Sequence, residues 1–293
     1  MRAYDSRNWL KPVLQFHRAD TFRKLLPFVV AVGLFSAAIA YVDLVWLKLG
    51  DDSRIKNLPL MHSLLGVVIG LLLVFRTNTA YDRWWEGRKL WGALVNVSRN
   101  LALKVDAIVD PKDSSTRTFF AKCIGMFATE LRSHLLQEST RLELDAQPHP
   151  EIPDFDRSKH VPTQVAGLLQ RRVQRMFAEK RISDGQLLAL SNDVNQFLDI
   201  CGACERIKNT PIPYSYTSFI KKFIVLYVLS LPLGYVFSLG WIAVPVVMFI
   251  FYVLGSLEII AEEIEDPFGD DSNDLPMLRL SEVIARNARE TLE

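Results

Sequence analysis

The stretch GLLLVFRTNTAYDRWWEGRK, residues 70–89, changes character along its length. It begins as almost pure hydrocarbon and continues as a polar sequence around two adjacent tryptophans. The charged side chains of the stretch are Arg76, Asp82, Arg83, Glu86, Arg88 and Lys89. No proline interrupts the chain between Leu60 and Pro111, so a single helix can contain both parts. We therefore predict a helix that begins in a membrane and continues into water.

Apolar residues are also clustered elsewhere in the chain. Besides residues 60–75, which begin the long helix, apolar runs cover residues 28–47 and 223–260. A helix that spans a bilayer needs about 20 apolar residues. The last run is about twice that length, so it accommodates two helices with Ser238-Leu239-Gly240 as the turn between them. The pattern predicts an all-α membrane protein with four transmembrane helices.

The charges predict how these helices are oriented. Lys and Arg number 34 and Asp and Glu 33, so the chain has no overall positive charge that would attract nucleic acid. Basic residues are frequent before residue 28 and between residues 76 and 222, whereas the loop 48–59 has only three and the turn 234–245 has none. Basic loops remain on the cytoplasmic side of a membrane. Both termini are therefore predicted to be cytoplasmic.

The segment between the second and third spans has the pattern of a helical domain. Apolar residues recur in it at helical spacing, and no alternation typical of strands is present. Ser183-Asp184-Gly185-Gln186 is a capping box that predicts the start of a helix. The predicted segments are a cytoplasmic N-terminal segment (1–27), two transmembrane helices (28–75), a cytoplasmic helical domain (76–222), two transmembrane helices (223–260) and a cytoplasmic C-terminal segment (261–293).

Cys201-Gly202-Ala203-Cys204 has the spacing of a redox motif, but it lies in a helical apolar stripe. Ordinary helix packing is favoured, because a reactive thiol needs a lowered pKa and a suitable polar environment. Zinc is not expected, because no second pair of cysteines or histidines has suitable spacing. The sequence contains no hydrolase motif and no phosphate-binding loop, so we predict no catalytic residues and no enzyme activity.

Gly66 and Gly70 have the spacing that lets membrane helices approach closely. Three residues spaced by four share a helix face rotated by about 100° from these glycines; they are Val67, Leu71 and Phe75. From the spacing alone, this face either packs against another helix or lines a pore. The sequence EEIEDPFGDDSNDLP (262–276) clusters carboxylates, which suit hard cations such as calcium but are equally typical of a solvated acidic loop.

Three of these motifs together resemble the bestrophin family. They are Arg83-Trp84-Trp85 after an apolar helix, Asp266-Pro267-Phe268-Gly269-Asp270-Asp271, and GACERIKNTPIP (202–213), which is similar to the bacterial branch. The resemblance covers nearly the whole chain. It implies a homopentameric ion channel of the chloride-channel type with an axial pore, in the bacterial inner membrane. Its partners would be further copies of the chain, the lipid bilayer and the permeant ions.

The resemblance also implies roles for single residues. Val67, Leu71 and Phe75 match a narrow neck, and Ile182 matches a second, cytoplasmic constriction. Ile182 also precedes the capping box and can pack against Leu187. Among the remaining candidates, Gly66, Gly70, Trp84 and Trp85 would pack helices, and the candidates for a calcium site are Asp266, Asp270, Asp271 and Asp274.

The predicted function is passive conduction of small monovalent ions, anions by family, without a required cofactor. Three alternatives stay open. A cation channel is one, because Leu71 stands where animal members have phenylalanine, whose ring edge favours anions. A membrane-anchored scaffold for a cytoplasmic partner is the second. A thiol oxidoreductase that uses Cys201 and Cys204 is the third.

Overall fold

The computed structural model describes residues 20–47, 58–136, 156, 159–271 and 273–293, and every regular element in these ranges is helical. The predicted all-α class is therefore confirmed. The helices are α1 (Asp20–Tyr41), continued by a π-helical turn (Val42–Leu47), α2 (Leu58–Ile108), α3 (Ser114–Leu136), α4 (Val161–Ala178), α5 (Asp184–Asn209), α6 (Tyr214–Leu239), α7 (Ala243–Glu265) and α8 (Met277–Leu292).

The chain forms two compact units. What we name the apolar unit contains the described residues up to Asp82 together with Pro211–Glu265. What we name the polar unit contains Arg83–Thr210 together with Asp266–Glu293. The polar unit thus combines most of the predicted domain 76–222 with α8, which lies in the predicted C-terminal segment 261–293.

The apolar unit is built from α1, the first part of α2, α6 and α7. Within the part of the chain that the structure describes, three helical stretches are long and apolar enough to cross a membrane: Thr21–Trp46, Leu58–Ile108 and Tyr214–Glu265. The last of them contains two helices separated by a single 3₁₀ turn, Gly240–Ile242. Gly240 has a φ of 56°, a left-handed conformation that glycine adopts without steric cost. A turn between two helices is therefore confirmed, but it begins at Gly240, because α6 still includes Ser238 and Leu239.

Helix α2 contains both the apolar and the charged part of residues 70–89, as predicted. It is 51 residues long and runs without interruption through Phe75 and Arg76 into the charged sequence. At 1.5 Å per residue it is about 77 Å long, more than twice the thickness of a bilayer core. Its first part buries Ile69 and Leu73 in the apolar unit, and its last part buries Trp91 and Leu101 in the polar unit. One helix therefore contributes to both hydrophobic cores.

The polar unit has a conventional hydrophobic core around α3. Phe120, Ile124, Phe127 and Leu131 recur at helical spacing and are fully buried. α8 packs closely on this helix: a Cβ atom added at Gly125 would lie 2.9 Å from the Cβ atom of Ala285. Glycine is needed at this crossing because a larger side chain would push α8 away.

The predicted capping box at the start of α5 is confirmed. The Ser183 hydroxyl accepts a hydrogen bond from the backbone N–H of Gln186, and the Gln186 side chain accepts one from the backbone N–H of Ser183, at 2.8 Å. α3 begins with another side-chain cap, since Asp113 accepts a hydrogen bond from the backbone N–H of Thr116 at 3.0 Å. Both caps satisfy amide groups that a helix start leaves without intrahelical partners.

Candidate functional site

The exposed face of α2 in the apolar unit contains the three predicted neck residues. Val67, Leu71 and Phe75 are 71%, 55% and 55% exposed. Ile69 and Leu73 point the other way and are buried against residues of α6 and α7. The chain therefore presents a row of hydrocarbon side chains, spaced by four residues, on the outside of the longest helix. An apolar row of this kind can face lipid, another subunit or a pore.

Arg76, directly after this row, is the first charge of α2 and is completely buried. Its Nη2 atom lies 2.7 Å from Oε2 of Glu265, and its Nε atom lies 3.6 Å from Oε1 of Glu258, both on α7. A buried guanidinium is stable only when carboxylates compensate its charge. The two ion pairs therefore fix the C-terminal end of the apolar row to α7.

The last two turns of α7 carry further ion pairs within the apolar unit. Glu263 accepts a hydrogen bond from Lys24 of α1 at 2.9 Å, and Glu262 accepts one from Lys221 of α6 at 2.9 Å. Glu265 also accepts a hydrogen bond from the backbone N–H of Ile212 at 2.7 Å. The carboxylates at this end of α7 thus connect it to each of the other three helices of the unit.

The structure brings only one of the two predicted packing glycines against another helix of the same chain. A Cβ atom at Gly66 would lie 2.9 Å from the hydroxyl of Tyr227 on α6. At Gly70, nothing among the described residues outside its own helix turn lies within 4 Å of that position. A role of Gly70 in packing within the chain is therefore not supported.

The Arg-Trp-Trp motif holds elements of the polar unit together. Arg83 donates hydrogen bonds to the carbonyl oxygens of Ile207, at 2.6 Å, and Thr210, which lie at the end of α5. A cation at this place satisfies the last carbonyls of the helix and its negative dipole end. Trp84 packs against the hydrophobic core and donates from Nε1 to the carbonyl oxygen of Asn273 at 3.0 Å. Trp85 is about half exposed.

The Asp-Pro-Phe-Gly motif packs on α2 two residues after the Arg-Trp-Trp motif. Phe268 of the Asp-Pro-Phe-Gly sequence is fully buried. Its ring and the ring of Pro267 lie against α2, where a Cβ atom at Gly87 would be 3.2 Å and 3.1 Å away. The segment after α7 is therefore packed tightly on α2 immediately after the tryptophans.

The acidic candidates for calcium are used within their own turn. Asp274 is buried and accepts a hydrogen bond from the backbone N–H of Asp271 at 2.5 Å. Asp266 accepts one from the backbone N–H of Phe268 at 3.2 Å, and Asp270 is exposed. Among the residues that the structure describes, these carboxylates do not converge into a group of metal-binding distances. Calcium at this segment stays a prediction.

Ile182, the predicted second constriction, is only 6% exposed and belongs to the core of the polar unit. Leu187 packs against the same core, as expected for a residue that follows the capping box. A pore-lining residue needs an exposed side chain, so this burial is unfavourable to the predicted role, which stays a prediction.

The three cysteines are free and buried. Burial raises the pKa of the Cys123 thiol to about 12. Burial, with a smaller contribution from the charge of Glu205, raises the pKa of Cys201 to about 12, and the pKa of Cys204 is raised further. Thiols that stay protonated at neutral pH are poor nucleophiles. The environment of the Cys201-Cys204 pair is therefore unsuited to a thiol oxidoreductase.

The structure brings together a further set of polar residues that is not apparent from the sequence. His134, His160 and Glu205 lie close together in the polar unit. Burial alone raises the pKa of Glu205, but the hydrogen bonds from His160 and His134 outweigh this effect and lower it. No spacing rule could have found the set, because the residues are distant in sequence and belong to different helices.

The ion pair between Arg76 and Glu258, by contrast, could have been inferred from the sequence. Both residues are isolated charges beside or within apolar runs, and such charges pair with one another.

The comparisons with known proteins agree with the resemblance. A family model described as bacterial/fungal bestrophin protein matches residues 1–290. A "Voltage-dependent anion channel-forming protein" of Nostoc sp. is 37% identical over 240 residues, which cover 79% of this chain and 78% of that protein. The protein of the same description from Escherichia coli K12 is 30% identical over 280 residues, with 92% and 87% covered.

Solved structures of high similarity include a mutant of a bacterial bestrophin homolog from Klebsiella pneumoniae. It matches with a TM-score of 0.82 and 26% sequence identity, and the match covers 92% of this chain and 98% of that one. The similarity therefore extends through both the apolar and the polar unit.

Proposed function

Because this chain belongs to the bacterial and fungal bestrophin family, we propose that it forms a membrane channel that passively conducts small monovalent anions, with chloride as the main ion. Membership of this family indicates a channel and not an enzyme. The curated relatives are described as anion channel-forming proteins, and the similarity to them extends over most of the chain. The same description supports anions as the permeant ions here.

The observation that carries the proposal is the exposed row Val67, Leu71 and Phe75 on α2. A pore along the axis of an oligomer is lined by side chains that each single subunit leaves exposed. Several copies of this row around an axis would form a narrow hydrophobic neck, which conducts only when water fills it. The buried ion pairs of Arg76 with Glu258 and Glu265 would fix this part of α2 to α7 and so keep the neck residues in position.

The assembly and the orientation belong to the proposal as well. We propose a homopentamer in the bacterial inner membrane, with the apolar unit in the bilayer and the polar unit in the cytoplasm. The exposed hydrocarbon of the apolar unit supports the first part. The distribution of basic residues supports the second, since basic loops remain cytoplasmic. Mass measurement of the protein in detergent and accessibility of engineered tags at either terminus test these points.

The test of conduction is reconstitution of the purified protein into liposomes and planar bilayers under a KCl gradient. The triple variant Val67→Ala, Leu71→Ala and Phe75→Ala should raise the single-channel conductance several-fold, because a wider apolar ring is wetted more easily. Leu226→Ala with Phe249→Ala is the matched control, since it truncates exposed side chains of α6 and α7 instead. Absence of flux through correctly folded wild type would contradict the proposal and favour the scaffold.

The cation channel is the remaining alternative, and Leu71 is the observation that favours it. A ring of methyl groups has no preference for either sign of charge, whereas aromatic edges favour anions. The reversal potential of the wild type under the KCl gradient decides between anion and cation selectivity. Leu71→Phe should shift the permeability ratio toward chloride. If it leaves the ratio unchanged, selectivity is determined outside the neck.

A further inference from the structure

Three helices of the polar unit place a histidine, a second histidine and a glutamate at one point. His134 lies in the last turn of α3, His160 is the N-cap of α4, and Glu205 lies near the end of α5. The Nε2 atoms of both histidines lie 2.6 Å from the same carboxylate oxygen, Oε1 of Glu205. The centres of the two imidazole rings are 4.4 Å apart. One ligand-type atom of each residue lies within 4.8 Å of the others.

The ligand atoms of His134, His160 and Glu205 favour one class of metal ion. Two imidazole nitrogens and one carboxylate oxygen form a donor set that suits zinc and related transition metals, whereas calcium and magnesium prefer oxygen ligands only. Zinc lies about 2.0–2.2 Å from such atoms, so it separates ligand atoms in a tetrahedron by about 3.3 Å. The present 2.6 Å contacts would therefore open by less than about 1 Å. Side chains that are 29–36% exposed have room for this movement, and they leave water access to a fourth position.

We infer that His134, His160 and Glu205 bind one divalent transition-metal ion, with Zn²⁺ preferred over Ca²⁺ and Mg²⁺. The spacing of cysteines and histidines in the sequence does not indicate zinc, because His134, His160 and Glu205 do not form close pairs along the chain. The site arises instead from the packing of α3, α4 and α5. It is distinct from the acidic segment 266–274, whose donors are oxygens only.

The surroundings of His160 determine which of its nitrogens can bind the metal. Its Nδ1 atom lies 2.6 Å from the hydroxyl of Thr163 and accepts the backbone N–H of the same residue at 3.2 Å. When Nε2 binds a metal, Nδ1 carries the proton and donates it to the Thr163 hydroxyl. Ligating histidines are commonly fixed by such a second partner. Metal binding would thus exchange one hydrogen bond of the α4 N-cap for another.

The same contacts also permit a role without metal, in which two imidazole N–H groups donate to Glu205 and connect the three helices. Glu205→Gln separates the two roles. A glutamine oxygen still accepts both hydrogen bonds, so a purely structural cluster would tolerate the change. An amide is a much weaker zinc ligand than a carboxylate, so a metal site would not.

The experiment uses the full-length protein in detergent, stripped with a chelator and then dialysed against ZnCl₂ or CoCl₂. We expect one metal ion per chain, a tetrahedral Co²⁺ absorption spectrum, and a melting temperature that rises with the Zn²⁺ concentration. His134→Gln, His160→Asn and Glu205→Gln should each weaken Zn²⁺ binding at least tenfold. Asparagine is chosen at position 160 because it preserves an N-cap.

Two controls keep the test specific. Glu86→Gln removes a carboxylate of the same unit that pairs with Arg206, and it should leave binding unchanged. Cys201→Ala with Cys204→Ala should also leave binding unchanged, which excludes the thiols as ligands. Absence of Zn²⁺ binding by the wild type, or binding that the three cluster variants do not weaken, would overturn the inference. The measurement reads metal binding and stability, so it is independent of whether the chain conducts ions.

Discussion

The apolar and the polar unit arrange the same kinds of residues in opposite ways. In the apolar unit large hydrocarbon side chains such as Phe28 and Phe249 are exposed, whereas Arg76 is buried. In the polar unit the large hydrocarbons Phe127 and Trp91 are buried, and most charges lie at the surface. A charge should therefore contribute most to stability in the unit that has the fewest of them. Lipid accommodates exposed hydrocarbon but cannot solvate a charge, so pairing must replace hydration there.

Removing the buried cation tests this comparison most strongly. Arg76→Ala leaves two carboxylates of α7 without their partner, and breaking a buried ion pair in this way costs about 3–5 kcal/mol. We expect a large drop in the melting temperature and poor yield of folded protein. The readout is thermal unfolding of the purified protein in detergent.

Two further variants serve as references for the effect of Arg76→Ala on stability. Lys221→Ala removes the cation of an exposed pair in the same unit and should cost at most about 1 kcal/mol. Arg76→Met combined with Glu258→Gln and Glu265→Gln removes all three charges and should recover much of the lost stability. Equal effects of Arg76→Ala and Lys221→Ala would show that burial does not determine the strength of these pairs.

Much of this arrangement could be predicted from the sequence, because it depends on neighbouring residues. The long stretch without proline between Leu60 and Pro111 predicts α2, and the apolar runs predict the membrane spans. Ser183 and Gln186 predict the start of α5. The turn at Gly240 follows from the length of the third run. These features need only helical geometry and the thickness of a bilayer.

What could not be predicted depends on packing between distant residues. The sequence of α8 does not indicate which helix it covers, and only the fold brings its Ala285 against Gly125 of α3. The burial of Ile182 is a similar case, because the residue before a capping box has the same local sequence whether the core covers it fully or leaves part of it exposed. The cluster of His134, His160 and Glu205 joins helix ends that only the fold brings together.

The buried thiols of the polar unit provide the second test. The pKa of Cys201 is raised from its ordinary value of 9.0 to about 12. The thiolate fraction at pH 8 should therefore be about a thousand times smaller than for a free cysteine. We expect almost no maleimide labelling of Cys201 and Cys204 in the folded protein and rapid labelling in denaturant. Because the shift is upward, labelling of the folded state should rise only as the pH approaches 12.

Rapid labelling of the native protein at pH 8 would contradict this assignment and would make the oxidoreductase alternative worth testing. An engineered cysteine at an exposed position of the same unit, Leu188→Cys, provides the reactive control. It reports whether the reagent reaches the polar unit in detergent. Labelling at 188 but not at 201 or 204 would show that burial, and not the detergent, protects the thiols.

The smallest effect is expected for a charge of the polar unit that is neither fully buried nor fully exposed. Asp113 caps α3 and pairs with Arg181. Partial burial by itself raises the pKa of Asp113, but hydrogen bonds from Thr116 and Arg181 outweigh it and lower the pKa below its ordinary value of 3.8. A carboxyl group with a lowered pKa in the folded state stabilises the protein above pH 3.8 and loses this contribution as the pH falls through the folded value.

Asp113→Asn keeps a capping side chain and removes only the charge. We expect it to cost at most about 1 kcal/mol at pH 7, because water screens the pair, and to cost progressively less as the pH falls below 3.8 toward the folded pKa. Melting temperatures of both proteins between pH 3 and 7 measure the difference. A loss at pH 7 as large as that of Arg76→Ala would mean that the surface of the polar unit screens charges no better than the interior of the apolar unit.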